Sequence, residues 1–121
     1  PPDPERIVAR FSECINERDL DGLSRLMSDN HRLVDMEEGV DEGKRDVISA
    51  WEGLFEIFPD FKNVCHKVTI EENIVKIEGH TECSDDRLSG PTLFTAKIEN
   101  DKVSEWRVYE DNPENRRRLK M

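Results

Sequence analysis

Residues 43–77 read GKRDVISAWEGLFEIFPDFKNVCHKVTIEENIVKI, and the hydrophobic period changes inside this stretch. Val47, Ile48, Trp51, Leu54, Phe55 and Phe58 recur at helical spacing, so a helix opens after Gly43 and Pro59 stops it. From Phe61 onward Val64, His66, Val68 and Ile70 alternate with polar residues, Asn73 marks a turn, and Val75 and Ile77 alternate again. The stretch is therefore a helix running into a hairpin.

Working outward, two more helices precede it. Asp3 caps the first, Pro4 and Glu5 suit its first turn, and Ile7, Val8, Phe11, Cys14 and Ile15 form its apolar face. Leu20, Leu23, Leu26 and Met27 stripe a second, ended by the loop-forming cluster Ser28, Asp29 and Asn30. A short strand from His31 to Met36 and a turn at Glu37, Glu38 and Gly39 lead into the third helix. Downstream, a loop at Ser84, Asp85 and Asp86 is followed by strand residues Phe94, Ala96 and Ile98, a turn at Asn100 and Asp101, and a strand from Lys102 to Tyr109. Helices first and a strand meander second is an α+β pattern, and residues 1–121 read as one domain without repeat or linker.

The formal charge of −10 is spread along the chain, which repels phosphate backbones and anionic lipid alike, so neither nucleic acid nor membrane is expected as a partner. Arg116, Arg117, Arg118 and Lys120 form the one basic cluster, a solvated terminal turn or a docking patch. Cys14, Cys65 and Cys83 are odd in number and far apart, so neither a disulfide framework nor a zinc knuckle is expected, and a cytoplasmic setting fits. No apolar run approaches the roughly twenty residues needed to span a bilayer. Neither metal-ligand spacing nor a phosphate loop is present, so no metal or cofactor is expected.

In order and spacing several pieces resemble the nuclear transport factor 2-like superfamily, in particular its SnoaL-like polyketide cyclase, ketosteroid isomerase and limonene epoxide hydrolase branches. They are Asn16 to Leu23, Asp35 at the end of the first strand, Gly43 to Trp51, Phe58 to Asp60, and Trp106 to Asp111. The resemblance implies a cone-shaped fold, three N-terminal helices packed in a curved, mixed but mostly antiparallel sheet around a cavity. It also implies a small apolar ligand in that cavity and pairing into a homodimer. Function divides between a cofactor-free isomerase, cyclase or hydrolase using carboxylate acid/base chemistry and a non-catalytic ligand-binding or assembly domain.

Asp35 stands where the isomerases keep a proton-transferring aspartate; the plain alternative is an aspartate bonding its own turn. Asp111, with Tyr109 and Arg107 at period two, resembles the ending in which epoxide hydrolases position water, or else it caps the terminal turn at Asn112, Pro113 and Glu114. The oxyanion-donating tyrosine of the isomerases is replaced by Phe11, and Phe94 and Thr95 stand near the second donor position. His66 shares its strand face with Val64, Val68 and Ile70, which makes it a core histidine or a cavity acid/base working with Asp35 or Asp111. His80 and Glu82 alternate onto the face of Lys76 and Glu78, toward solvent unless a bulge near Gly79 turns them. Trp51 and Phe11 are the aromatic candidates for the cavity wall, and Trp51, Phe55 and Phe58 also read as core.

Overall fold

The structure, a computed structural model, describes residues 3–121. Helix α1 spans Pro4–Glu17, α2 Leu20–Leu26, α3 Lys44–Ile57 and α4 Pro113–Leu119. The strands are β1 Met27–Val34, β2 Val40–Glu42, β3 Lys62–Glu71, β4 Ile74–Glu82, β5 Gly90–Glu99 and β6 Lys102–Glu110, and a 3-10 turn at Asp86–Leu88 links β4 to β5. They form one sheet in the order β2-β1-β6-β5-β4-β3, antiparallel except for the parallel β1–β6 pair. The α+β class follows the expectation from the residue pattern, and the mixed, mostly antiparallel sheet the one that the resemblance implied.

Local chemistry explains the helix ends. Asp3 accepts the Arg6 N–H at 2.8 Å and Asp19 accepts that of Gly22 at 2.8 Å, so each carboxylate satisfies a donor left free in a first turn. Asn112 does the same for Asn115 at 2.8 Å, so the expected terminal turn is a short helix. The C-terminal end of α1 and the residue that caps it also tie the layers together. Asn16 donates to the Asn63 carbonyl at 2.9 Å and accepts its N–H at 3.0 Å. Arg18 hydrogen-bonds the Pro59 carbonyl while its guanidinium lies 5.1 Å over Phe55.

One face of the sheet is covered by α1 and α3. On this inner face lie His31 and Leu33 of β1, Val75 and Ile77 of β4, Phe94 and Ala96 of β5, and Trp106 and Val108 of β6, packed with Ile7, Val8, Phe11 and Ile15 of α1 and Val47 and Trp51 of α3. The pattern along β4 alternates in burial as its sequence does, with Lys76, Glu78, His80 and Glu82 on the outer face. Asn100 and Asp101 both have positive φ, 51° and 61°, which matches the two-residue turn whose twist suits a hairpin.

Two boundaries differ from the sequence reading. Ser28, Asp29 and Asn30 lie within β1 rather than in a loop, in a register irregularity between the Met27–Val103 and Arg32–Glu105 pairs with β6. The pairs on either side are non-local, and they carry the strand across three polar residues that keep an irregular, unpaired stretch. β2 was not anticipated, since three exposed residues carry no alternation to read.

Candidate functional site

Where α3 crosses the sheet, the packing is incomplete and leaves a cavity of about 460 Å³. Its wall is mainly apolar: Ala50, Trp51 and Leu54 of α3, Leu33 of β1, Val108 of β6, and Phe61 and Leu88 from the segments flanking β3 and β5. Thr81 adds a hydroxyl. Asp35, Met36 and Glu37 of the turn after β1, Asp41 of β2, and Arg87 complete it. Asp41 is placed there by register, because it pairs with Leu33 and shares its face. Trp51 is 5% exposed, packs 5.7 Å from the Phe55 ring, and its indole N–H finds no acceptor among the described residues.

Asp35 at this wall is also a turn residue. Its Oδ1 accepts the Glu37 N–H at 2.9 Å and the Gly39 N–H at 2.8 Å, while Oδ2 accepts no hydrogen bond among the described residues. One oxygen thus builds the turn and the other is left for solvent or ligand. Arg87 is committed to Asp85, with Nε to Oδ1 at 3.0 Å and Nη2 to Oδ2 at 2.6 Å, and these hydrogen bonds hold the Asp85 carboxyl down at about 2.

His66 and Asp111 lie elsewhere. A register shift follows Cys65, which pairs with Gly79, and the next pairing is Lys67 with Glu78, so His66 is the extra residue of a β-bulge. The bulge splits the apolar set that the sequence appeared to place together. Val64, paired with His80, and His66 face outward, whereas Val68, paired with Ile77, faces the core. His66 is accordingly exposed on the outer face, not on the cavity wall, and the bulge leaves His80 and Glu82 on that same outer face. There His80 Nδ1 meets His66 Nε2 at 2.7 Å and its Nε2 meets Glu82 at 2.8 Å.

Asp111 borders the same open outer groove, together with Arg116 and Glu78. Trp106 and Val108 take the inner face of β6, so the period-two set of Arg107, Tyr109 and Asp111 must take the outer one. Arg116 donates to Asp111 through Nε at 2.7 Å and Nη2 at 2.9 Å, and its Nη1 lies 2.9 Å from Glu78. The hydrogen bonds from Arg116 hold the Asp111 carboxyl below its ordinary value, so both oxygens are occupied acceptors. Arg107 lies 5.0 Å over the Tyr109 ring and 3.3 Å from Glu38, which props the Asp35 turn from behind.

Phe11 is fully buried, 4.9 Å from Trp106 and 5.8 Å from His31 by ring centroids, and is core rather than cavity wall. Of the residues singled out in the sequence, the structure brings Asp35 and Trp51 to one cavity and sets His66 and Asp111 together outside it. Missed were Arg87, whose loop carried no pattern, Asp41, whose strand was invisible, and His31. Burial lowers the affinity of His31 for a proton, and its Nδ1 lies 2.6 Å from the Val103 carbonyl while Nε2 has no partner among the described residues. Asn63 is likewise 2% exposed with neither side-chain polar atom bonded among the described residues, on the face of Thr81. No group of three His, Cys, Asp or Glu among the described residues is arranged to hold a metal ion, and no helix of them is long and apolar enough to cross a membrane.

Helices folded against one face of a bulged, mixed sheet, with a partly apolar cavity between, define the nuclear transport factor 2-like class. Within it the chain belongs to the SnoaL-like domain family, whose model matches residues 8–111. Similar solved structures include a SnoaL-like polyketide cyclase, so described, from Jannaschia sp. CCS1, with 20% identity, covering 89% of this chain and 85% of that one at a TM-score of 0.77. An epoxide hydrolase like limonene epoxide hydrolase from M. tuberculosis is 15% identical, covering 89% and 82% at a TM-score of 0.77. A protein of unknown function from Cytophaga hutchinsonii is 18% identical, covering 98% and 96% at a TM-score of 0.76. At these identities the likeness is one of fold. No curated protein matches the chain.

Proposed function

We propose that the protein binds a small, largely apolar molecule in the cavity beside α3, with the free Oδ2 of Asp35 meeting a polar group of that ligand. The observation that carries this reading is the cavity itself, about 460 Å³ with a mainly apolar wall, within the range of small-molecule sites. The names of two structural neighbours, a polyketide cyclase and an epoxide hydrolase, fit a small oxygen-bearing organic molecule.

Binding is favoured over catalysis on the donors available. Stabilising a developing oxyanion takes preorganised donors aimed at it, and the side-chain donors on this wall are Thr81, Trp51 and an Arg87 already held by Asp85. Catalysis by Asp35 as an acid/base is the second reading, and its support is the unbonded oxygen at the wall of an apolar cavity. Homodimer formation belongs to the proposal on family resemblance, and the three free cysteines favour a reducing, cytoplasmic setting.

The test uses the neutral fluorophore N-phenyl-1-naphthylamine, whose emission rises in apolar surroundings. Saturable binding is expected, abolished by Ala50→Phe, which fills the cavity, and retained in Asp111→Asn. Equal affinity in the wild type and in a folded Ala50→Phe variant refutes the cavity as the site.

A further inference from the structure

The charges around the cavity narrow the ligand class. Three carboxylates, Asp35, Glu37 and Asp41, line it, and none of the three makes an ion pair with a cation among the described residues. The one cation on the wall, Arg87, is bidentate to Asp85 and so brings little net positive charge. Two cations lie on the far side of the Asp35 turn: Arg107 is paired with Glu38 at 3.3 Å, whereas Arg118 hydrogen-bonds the neutral Asn115 side chain at 3.3 Å and keeps its charge, so two negative charges remain in excess around the turn and the cavity rim. The chain as a whole carries a formal −10, so its net long-range field also favours a cation. Behind the carboxylates the wall offers Trp51 and Phe61, whose π-electrons attract cations, among aliphatic side chains.

An apolar cavity rimmed by three carboxylates without ion-pair partners among the described residues disfavours anions and gives a neutral ligand no use for the charge. We propose that the cavity takes an organic cation, a small apolar body carrying a protonated or quaternary amine, with the amine among Asp35, Glu37 and Asp41 and the body against Trp51, Leu54 and Phe61. This inference rests on the cavity being the binding site. Asp35 serves it through Oδ2, since Oδ1 is occupied by the Glu37 and Gly39 amides. Glu37 and Asp41 serve as charges whose effect salt screens, because they lie at an exposed rim.

The experiment compares isosteres by displacement of N-phenyl-1-naphthylamine and by calorimetry: phenyltrimethylammonium, neutral tert-butylbenzene, and benzenesulfonate. The cation is expected to bind about tenfold more tightly than the hydrocarbon, with the sulfonate weakest. The advantage should shrink severalfold between about 20 mM and about 500 mM salt, as the Debye length falls below the span of the rim. It should shrink likewise in the double variant Asp35→Asn/Asp41→Asn, where the carboxamide oxygen at position 35 still accepts the two turn amides. The salt series on the wild type tests the charge even if that variant folds poorly. Tighter or equal binding of tert-butylbenzene overturns the cation and leaves the cavity reading standing. Failure of all three probes, and of the fluorophore, overturns the cavity reading and the inference with it.

Discussion

Two glycines exchanged for the same residue should move stability in opposite directions. Gly79 lies in β4 opposite Cys65, next to the bulge at His66, and a Cβ built on it falls 2.0 Å from the Val64 carbonyl oxygen. Carbon–oxygen contacts between neighbouring strands lie at about 3.3 Å, so β3 and β4 must separate by roughly 1 Å at this point. The obstacle is backbone held in a ladder and not the movable end of a side chain. Gly79→Ala therefore weakens two or three ladder bonds at about 1 kcal/mol each and strains the inner face, a loss of about 3–5 kcal/mol. A chain of this length has a total stability of only about 6–18 kcal/mol, so the change is large. Gly53 lies within α3 with nothing within 4 Å of an added Cβ. Gly53→Ala should thus add about 0.5–1 kcal/mol, because glycine loses more backbone entropy in a helix than alanine does. Urea unfolding followed by far-ultraviolet circular dichroism measures both, and a slope of about 1.5 kcal/mol per molar converts the Gly79 loss to a midpoint shift of about 2–3 M. A Gly79→Ala protein within about 1 kcal/mol of wild type, or a destabilised Gly53→Ala, would refute the packing described for β3, β4 and α3.

Three further outcomes are expected. Burial keeps His31 neutral below its ordinary value of 6.5, so as pH falls through that value the unfolded chain takes up a proton that the folded chain refuses. Stability should therefore decline from about pH 6.5 downward, and the His31→Gln protein, compared in urea at about pH 7.5 and 5.5, should show a shallower slope; an unchanged slope refutes the assignment. Asn63→Leu, nearly isosteric, should leave stability unchanged or raise it by about 1 kcal/mol, since it removes a buried amide with no partner, and a loss greater than that would reveal a bound water or other hidden partner. Asp111→Asn should cost less than about 1 kcal/mol, as its partner Arg116 is partly exposed, and a loss of fluorophore binding in this variant would place Asp111 in the cavity after all.

Much of the architecture was legible because each layer leaves a period in the chain. The stripe ending at Phe58 and Pro59, the alternation through Val75 and Ile77, and the caps at Asp3 and Asn112 are local signals with local causes. Asp35 could be singled out as well, although its turn and its place on the cavity wall are two different facts. The His66 face could not be read, since one extra residue in β3 inverts the alternation and nothing in that segment's composition marks the insertion.

The sequence by itself determined the first three helices, most of the strands, the acidic character of the chain and the α+β class, all of which depend on neighbours along the chain. Tertiary structure alone decided which face of each strand meets α1 and α3, and so which polar residues share a cavity. Asp41 reaches Asp35 through the β1–β2 register, Arg87 arrives from a distant loop, and Asp111 is turned outward because Trp106 and Val108 claim the core. The physical reason is that burial of apolar surface is settled between elements and not within them, and polar residues take the positions it leaves.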